Sequence, residues 1–387
     1  MTGVLDGIRV FDMSRVLAGP SCTQLLGDLG ADIVKVERPG EGDDTRKWGP
    51  PFLKDAAGND TPESAYYLSA NRAKRSLTLD FTKPEGRAIA LRLIAQSDVL
   101  VENYKVGNLA KYGLDYASLR ADFPRLVYCS VTGFGQTGPY APRPGYDFLA
   151  QAMGGIMSLQ GEPEGEPMKG AVAFADLMAG MYSAVAILAA LHHRDRTGQG
   201  QHIDMALLDT QVAWLGNAHA TVVPYQVFAS ADGHIVLAIG NDGQFRKFCA
   251  CAGAPQLAAD PRFATNSARV VNRAAIVPEV ARLVAQRTSA EWIALLEREG
   301  VPCSPINSLD QVFADPQVKA RDMVVRMDHP GAPAPISLLA SPIKYSATPI
   351  EYRRAPPTMG QHSDEILRTL LGLSDAEIAA LRRSGAV

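Results

Sequence analysis

Short apolar runs alternate with helix-like stretches through the first half of the chain. The runs at residues 8–13, 32–37, 75–80, 98–103 and 125–131 are rich in Val, Ile and Leu and have the length of buried strands. The stretches between them include segments with helical spacing of apolar residues. Strands that alternate with helices favour right-handed βαβ units, so this half is predicted to be a Rossmann-like α/β domain with a mostly parallel sheet.

The second half of the chain has a different pattern. Two β-type runs flank an Asp-Gly turn at residues 232–233, which predicts a hairpin, and Thr288 with Glu291 predicts a helix that begins with a capping box. These features indicate a smaller α+β domain. The predicted organisation is a large Rossmann-like domain at 1–205, a linker at 206–224, a small α+β domain at 225–310, and an extended linker with a C-terminal segment returning to the large domain at 311–387.

A strongly apolar stretch, residues 172–191, carries a single charge, the carboxylate of Asp176. Its uncharged part from Leu177 to Leu191 is too short for a membrane span, so a buried helix of a large soluble protein is predicted. A carboxylate at the start of such a helix has two explanations, an N-cap that accepts backbone N–H groups or a chemically active group. The two roles are compatible.

The composition is that of a soluble globular protein. The net charge is −3 and 20% of the residues are charged, which gives no basic surface for nucleic acid. The cysteines number 5, an odd count that favours a reducing compartment, and the first residues lack the apolar core of a signal peptide. A cytoplasmic protein with neither a membrane nor a nucleic-acid partner is therefore predicted.

Two motifs resemble cofactor sites but fail in their context. GFGQTG at residues 133–138 fits the dinucleotide pattern G-x-G-x-x-G, but prolines follow it where the required helix would begin. Cys249 and Cys251 are too close in sequence for a zinc site, and no second pair of ligands is suitably spaced. We therefore predict no NAD, FAD or metal site, and a glycine loop that a ligand can approach closely.

Cations are clustered in two places. Residues 36–46 follow a predicted strand and combine acidic and basic side chains with glycines, and Arg72, Lys74 and Arg75 lie together. Guanidinium groups bind carboxylate or phosphate through two N–H groups, so both clusters suit anionic ligands. A plain charged surface explains them equally well.

Several blocks follow one another along nearly the whole chain: DMSRVLAGPSCTQLLGDLGADIVKVERPGEGDDTR, NRAKRSLTLD, LVENYKVGNLAKYGLDY, SVTGFGQTGPY, GYDFLAQAMGG, DLMAGMYSAVAILAALHHRDRTGQGQHIDMALLD and ADGHIVLAIGNDGQF. Together they resemble the family III CoA-transferases, the group that includes formyl-CoA transferase and carnitine CoA-transferase. The resemblance implies the two-domain fold of that family, an interlocked homodimer, and coenzyme A bound as an acyl-CoA substrate beside a carboxylic acid. The link near residues 215–218 is shorter than in the family, through a deletion or a segment absent from this sequence.

The resemblance also implies roles for individual residues. Asp176 matches the family's catalytic aspartate, in the D-x-x-x-G that begins the apolar helix. Formyl-CoA transferase has Gln at the position of Leu17 and Arg at that of Lys111. The residues that match a glycine-rich lid, here with fewer glycines, are Gly240, Gly243 and Gln244. Those that match the family's CoA contacts are Val16, Leu17, Arg38, Leu79, Asp80, Asn103, Tyr104, Lys111, Tyr146 and Asp147.

Four more blocks, DDTRKWGPPF, VPYQVF, DPQVKARDMV and APPTMGQH, resemble a branch of the family that acts on dicarboxylic acids. This likeness implies succinyl-CoA as the donor and a dicarboxylate such as glutarate as the acceptor. We expect Arg72 to bind the distal carboxylate of that acid, because a dicarboxylate needs a fixed cation beyond its reacting end. The individual donor and acceptor, the direction of the reaction and its pathway stay open at this point.

Two other functions are weighed against CoA transfer. α-Methylacyl-CoA racemase shares the fold, but Tyr146 stands where that enzyme has a basic histidine, so a two-base proton exchange lacks one partner. A nucleotide-binding oxidoreductase would require tight NAD binding, which a fluorescence titration measures. A CoA-binding protein without catalysis is the third reading, and the presence of Asp176 argues against it.

Overall fold

The computed structural model of the chain describes residues 3–162, 164–217 and 221–387. It divides into two compact units, one of Met1–Gly216 with Asp322–Val387 and one of Asn217–Arg321. These limits differ from the predicted boundaries at 205, 225 and 310. The first part of the predicted linker folds with the large unit because it forms a helix whose Leu207 and Gln211 are buried. Residue 218 of the short link lies outside the described residues.

Strands and helices alternate in much of the large unit, and helices predominate after β10. The strands are β1 (Arg9–Asp12), β2 (Asp32–Glu37), β3 (Phe52–Lys54), β4 (Asp60–Ser64), β5 (Lys74–Thr78), β6 (Val99–Glu102), β7 (Val127–Thr132), β8 (His202–Ala206), β9 (Tyr225–Ala229), β10 (His234–Ala238), β11 (Cys303–Pro305), β12 (Val324–Met327) and β13 (Ile336–Leu339). The α-helices are α1 (Ala18–Asp28), α2 (Ala65–Ser69), α3 (Pro84–Ile94), α4 (Tyr116–Leu119), α5 (Asp147–Met153), α6 (Phe174–Thr197), α7 (Leu207–Ala213), α8 (Asp242–Cys251), α9 (Pro255–Ala259), α10 (Asn266–Val271), α11 (Arg273–Val284), α12 (Ser289–Arg298), α13 (Leu309–Ala314), α14 (Pro316–Ala320), α15 (Ser363–Thr369) and α16 (Asp375–Ser384).

The central sheet of the large unit has six strands in the order β5-β2-β1-β6-β7-β8, and every neighbouring pair is parallel. Helix α1 connects the neighbouring parallel strands β1 and β2, and α3 crosses from the edge strand β5 to β6 on the other side of β1. Apolar clusters cover both faces of the sheet, with α3, α15 and α16 on one side and α1 and α6 on the other. The predicted α/β fold with a mostly parallel sheet is confirmed.

Helix α6 is the apolar stretch that holds Asp176. It spans 24 residues, and its length and hydropathy alone would fit a membrane span, but 56% of that apolar window is buried within the protein. A Cβ added to Gly180 would lie 2.8 Å from the carbonyl oxygen of Ala18, so glycine is what allows α6 to pack this closely on the first turn of α1. The helix is therefore a core element whose second turn packs on the first turn of α1.

The small unit is built on a three-stranded antiparallel sheet in the order β11-β10-β9. The predicted hairpin is its β9–β10 pair. The predicted capping box is present at α12, where Glu291 N–H donates to Thr288 Oγ1 at 3.3 Å and Thr288 N–H donates to Glu291 Oε2 at 2.9 Å. Buried Phe248, Trp292 and Leu296 form part of its own core.

The C-terminal segment packs on the large unit. Ala73 N–H donates to the carbonyl of Arg354 at 2.9 Å, and Asp80 N–H donates to that of Ala386 at the same distance. Ile366 of α15 is fully buried in the apolar cluster on one face of the sheet. The core of the large unit therefore needs residues from both ends of the chain.

Candidate active site

A cavity of about 210 Å³ lies at the carboxyl ends of β1, β6 and β7, the edge at which parallel α/β sheets usually bind ligands. A larger cavity of about 390 Å³ lies at the opposite edge, and there two of the lining cations, Arg9 and Arg75, are already paired with Asp32. Of the residues expected to form the site, those that line the carboxyl-edge cavity are Val16, Leu17, Asn103, Tyr104, Tyr146 and Asp176.

Asp176 lies in the first turn of α6 and is only 9% exposed. Its carboxylate does not cap the helix, so the N-cap interpretation of Asp176 is wrong. Asp147 takes that role instead: its Oδ1 accepts the N–H groups of Ala175 at 2.8 Å and Asp176 at 3.2 Å, and Gln151 donates to its Oδ2 at 2.6 Å. The cap leaves the Asp176 carboxylate free of the helix backbone, facing the cavity.

The Asp176 carboxylate has an unfavourable environment for its charge. Burial, assisted by the nearby negative charge of Asp147, raises its pKa to about 7. None of the described residues donates a hydrogen bond to it or forms an ion pair with it. Burial, assisted by the charges of Asp176, Asp147 and Asp43, also raises the pKa of Tyr66 to about 12. A poorly solvated carboxylate that ionises near neutral pH is suited to nucleophilic attack.

The loop between β1 and α1 forms one wall of the cavity. Val16 has a φ of 70°, a left-handed conformation that β-branched residues rarely adopt. Its N–H donates to Asp43 at 3.3 Å, and Asp43 accepts from the buried ammonium of Lys35 at 2.8 Å. Burial alone would raise the pKa of Asp43, but Lys35 and Thr45 hold it at about 2. A buried ion pair therefore maintains the strained wall of the site.

Asn103 joins this wall to the loop after β6. Its Oδ1 accepts Arg15 N–H at 2.9 Å, and its Nδ2 donates to the Arg15 carbonyl at 2.6 Å. The two hydrogen bonds hold both the N–H and the carbonyl group of Arg15. Asn103 therefore has a structural task in the cavity wall in addition to any contact with a ligand.

The glycine loop predicted at residues 133–138 lies at the mouth of the cavity. It continues into turns instead of a helix, as the prolines predict. A Cβ on Gly133 would lie 2.3 Å from Cα of Gly145, so two glycines close the base of the loop. Gly133, Arg143 and Gly145 line the cavity.

Five expected CoA contacts are absent from the lining of the carboxyl-edge cavity, and one of them is Asp147, the cap of α6. Arg38 and Lys111 are exposed surface cations, Arg38 at 3.3 Å from Glu41, and their contact with phosphates remains a prediction. The Asp80 carboxylate accepts from the N–H and hydroxyl of Thr82. Leu79 is 1% exposed inside the apolar core, and its N–H donates to the Glu37 carbonyl at 2.8 Å.

Arg72 has a structural role that sequence reasoning missed. It is buried, donates to both oxygens of Asp28 at 2.8 and 2.6 Å, and donates to the carbonyl of Leu339 at 2.6 Å. It does not belong to the lining of the cavity that contains Asp176. The expectation that Arg72 binds a distal carboxylate is therefore wrong, because an internal carboxylate already occupies its guanidinium.

The residues predicted to form a lid lie in the small unit. Gly240 N–H donates to Gln244 Oε1 at 2.8 Å, and Gln244 N–H donates to Asn241 Oδ1 at 3.0 Å. Gly243 belongs to the first turn of α8, so this segment is a capped helix start. Its function as a lid remains a prediction.

Sequence reasoning did not select the cations of the cavity, Arg15, Lys105 and Arg143. Lys105 follows Tyr104 directly, and Arg143 precedes Tyr146 by three positions, so both lie beside expected contacts. Arg15 Nη1 is paired with Asp44 Oδ2 at 3.0 Å. Their charge alone does not distinguish these side chains from ordinary surface cations. Their position in the sequence beside the expected CoA contacts was the signal that could have identified them.

The comparisons with known proteins agree with this geometry. The profile described as CoA-transferase family III matches residues 5–363. The chain belongs to this family. It is 47% identical to a succinate–glutarate CoA-transferase of Agrobacterium fabrum, over 95% of both chains. It is 41% identical to the succinyl-CoA:glutarate CoA-transferase of Mus musculus, over 99% of this chain and 90% of the mouse protein.

A solved structure shows the same fold. The crystal structure of a CAIB/BAIF family protein from Brucella suis has a TM-score of 0.83 and 47% sequence identity, over 96% of this chain and all of that one. This family III CoA-transferase therefore uses acyl-CoA and carboxylate substrates. Its cysteines are free, and no group of three or more metal-binding side chains occurs within the described ranges.

Proposed function

We propose that this enzyme transfers CoA from succinyl-CoA to a short dicarboxylic acid such as glutarate, with Asp176 as the nucleophile. The observation that carries the proposal is the Asp176 carboxylate itself, nearly buried at the cavity, without a hydrogen-bond donor among the described residues, and with a pKa of about 7. Relatives that carry these substrates in their names, at 47% and 41% identity, support this choice of acids.

The reaction proceeds through covalent exchange on Asp176. Its ionised oxygen attacks the thioester carbon of succinyl-CoA, the C–S bond breaks, and CoA thiolate leaves an aspartyl–succinyl anhydride. The thiolate attacks the aspartyl carbonyl, which releases succinate and leaves an aspartyl-CoA thioester. Glutarate attacks that thioester and expels the thiolate, which leaves an aspartyl–glutaryl anhydride. The thiolate then attacks the glutaryl carbonyl, which forms glutaryl-CoA and frees Asp176. Enclosure of the carboxylate protects these covalent intermediates from water.

The anionic parts of the substrates need cations other than Arg72. Lys105 and Arg143 line the cavity, and the guanidinium of Arg143 lies 4.0 Å from the ring centre of Tyr140. We assign these two side chains to the phosphates of CoA and the distal carboxylate, because Arg15 is already paired with Asp44.

The enzyme is proposed to act as a cytoplasmic homodimer. Large apolar side chains are exposed on three adjacent helical elements of the large unit, and a patch of this kind on a soluble protein marks an interface. The patch consists of Phe148, Leu149, Met153, Met181, Tyr182, Val185, Val212 and Trp214. A second copy of the chain is the occupant that the family resemblance implies.

A panel of acids with succinyl-CoA tests the function, with mass spectrometry used to detect new acyl-CoA thioesters. We expect glutaryl-CoA from glutarate, and a rate at least about 10³-fold lower for Asp176→Ala. The variant should retain CoA binding. No new thioester from any acid would reject the transferase.

The racemase alternative has its own measurement. None of the described residues that line the cavity is a histidine, so we expect no deuterium exchange at C2 of a 2-methylacyl-CoA.

A further inference from the structure

A buried polar cluster lies next to the CoA cavity and has no part in the proposed chemistry. Glu102, Ser130 and His202 lie on the adjacent strands β6, β7 and β8, and their side chains lie on the same face of the sheet. Ser130 is 2% and Glu102 5% exposed. They line a second cavity of about 320 Å³.

The three side chains form a chain of polar contacts. Ser130 Oγ lies 3.0 Å from His202 Nε2, and Ser130 is paired with Glu102 across β6 and β7, which places these two side chains beside each other. The imidazole ring is stacked on Tyr116, with ring centres 4.9 Å apart. The far end of the chain is thus fixed by packing.

The near end of the chain holds the backbone of the CoA cavity. Glu102 Oε2 accepts Tyr104 N–H at 2.8 Å. Tyr104, Lys105 and Val106 line both cavities, so a single stretch of chain separates the polar cluster from the candidate CoA site. The residue between Glu102 and Tyr104 is Asn103, whose amide fixes Arg15 in both directions.

We propose that Glu102, supported by Ser130 and His202, is a positioning residue that holds the wall of the CoA cavity in its binding conformation. The proposal rests on the proposed function in that acyl-CoA occupies this cavity. Loss of the Glu102 oxygen frees Tyr104 N–H and loosens the attachment of Asn103. This loss weakens CoA binding. It leaves the rate of the chemical step unchanged, because Asp176 belongs to a different element.

Glu102 also has the burial expected of such a role. Burial raises its pKa to about 7, while the hydrogen bonds from Ser130 and Tyr104 favour its ionised form. A buried carboxylate that served only packing would be costly to keep.

The experiment measures CoA binding by calorimetry and KM and kcat for succinyl-CoA. For Glu102→Ala we expect the Kd of CoA and the KM to rise about tenfold, with kcat within about twofold of wild type. Glu102→Gln keeps an oxygen for Tyr104 N–H and should bind CoA close to the wild-type level. Wild-type binding by Glu102→Ala, or equal impairment of the Ala and Gln variants, would overturn the proposal.

Two further variants keep the test decisive if Glu102→Ala does not fold. His202→Phe preserves the stacking on Tyr116 and removes the bond to Ser130, and Ser130→Ala removes the middle of the chain. Each should weaken CoA binding about threefold. Wild-type affinity in both would overturn the supporting chain. If the wild-type protein binds no CoA, the proposed function fails and the inference falls with it.

Discussion

Asp176 is an acid whose surroundings oppose its charge. Burial is the main cause of its raised pKa, and the negative charge of Asp147 adds to it, while the same Asp147 side chain caps the helix that carries the nucleophile. Such an arrangement sacrifices stability for reactivity, as is common at catalytic sites. The pH dependence of activity and of stability should therefore both report on this pair.

The pH profile of kcat/KM should rise with a midpoint near 7 as Asp176 ionises. Asp147→Asn retains an oxygen for the N–H groups of Ala175 and Asp176 but removes a negative charge. The pKa of Asp176 should fall, and the midpoint should move to lower pH. An unchanged or higher midpoint would contradict the electrostatic coupling between Asp147 and Asp176. Asp147→Ala is the companion variant, because it removes the helix cap as well as the negative charge.

Stability should show the opposite trend. The folded-state pKa of Asp176 is raised above its unfolded value, so its stabilising contribution is complete below the unfolded pKa and is lost as pH rises through about 7. Asp176→Asn should therefore be more stable than wild type at about pH 8, on the order of a few kcal/mol, and should lose that advantage near pH 4. Urea unfolding at both pH values measures this, and equal differences would refute it.

Arg72 should affect folding and not acid recognition. Arg72→Ala leaves the buried Asp28 without its partner and should lower the free energy of unfolding by about 3–5 kcal/mol. Combined with Asp28→Asn, much of that loss should be recovered in a double-mutant cycle. The KM for glutarate relative to that for a monocarboxylate should not change; a selective rise for glutarate would restore Arg72 to the acid site.

At the level of elements, the site depends on how closely α6 approaches α1. Gly180→Ala places a Cβ 2.8 Å from the Ala18 carbonyl, so the helices must separate, at a cost of about 1–3 kcal/mol. Because Asp176 is one turn away, kcat should also fall. Gly216→Ala is the control, since a Cβ there meets no atom of the described residues within 4 Å. Similar stability of the two variants would contradict the close packing.

The elements were predictable where the signal is local. Apolar periodicity identified the parallel strands, and a capping box identified the start of α12. The cap on α6 was not predictable from the sequence, because Asp147 lies 29 positions from Asp176. Likewise, Arg72 and Asp28 are 44 positions apart, so a local cluster of cations looked like a ligand site. Whether a charged side chain forms an internal ion pair or is free for a ligand depends on residues that are distant in the sequence.

At the scale of the whole molecule, the apolar patch on α5, α6 and α7 predicts a dimer. Val185 is 65% exposed on α6, and Val185→Glu should give a monomer by analytical ultracentrifugation, because an unpaired carboxylate is costly to bury in an interface. Val271, which is 83% exposed in the small unit, offers the matched variant Val271→Glu, which should remain dimeric. A monomeric wild-type protein would exclude the dimer.

The most direct test of the central claim follows oxygen atoms through Asp176. A single turnover of succinyl-CoA with glutarate labelled with heavy oxygen in both carboxylates should transfer one heavy oxygen to the Asp176 side chain, and the succinate released in that turnover should be unlabelled. Mass spectrometry of the proteolytic peptide that contains Asp176 measures that gain. The covalent route predicts a heavier peptide only when both substrates are present. An unlabelled peptide, with the heavy oxygen passing directly into succinate, would show that glutarate attacks the donor itself and that Asp176 is not the nucleophile.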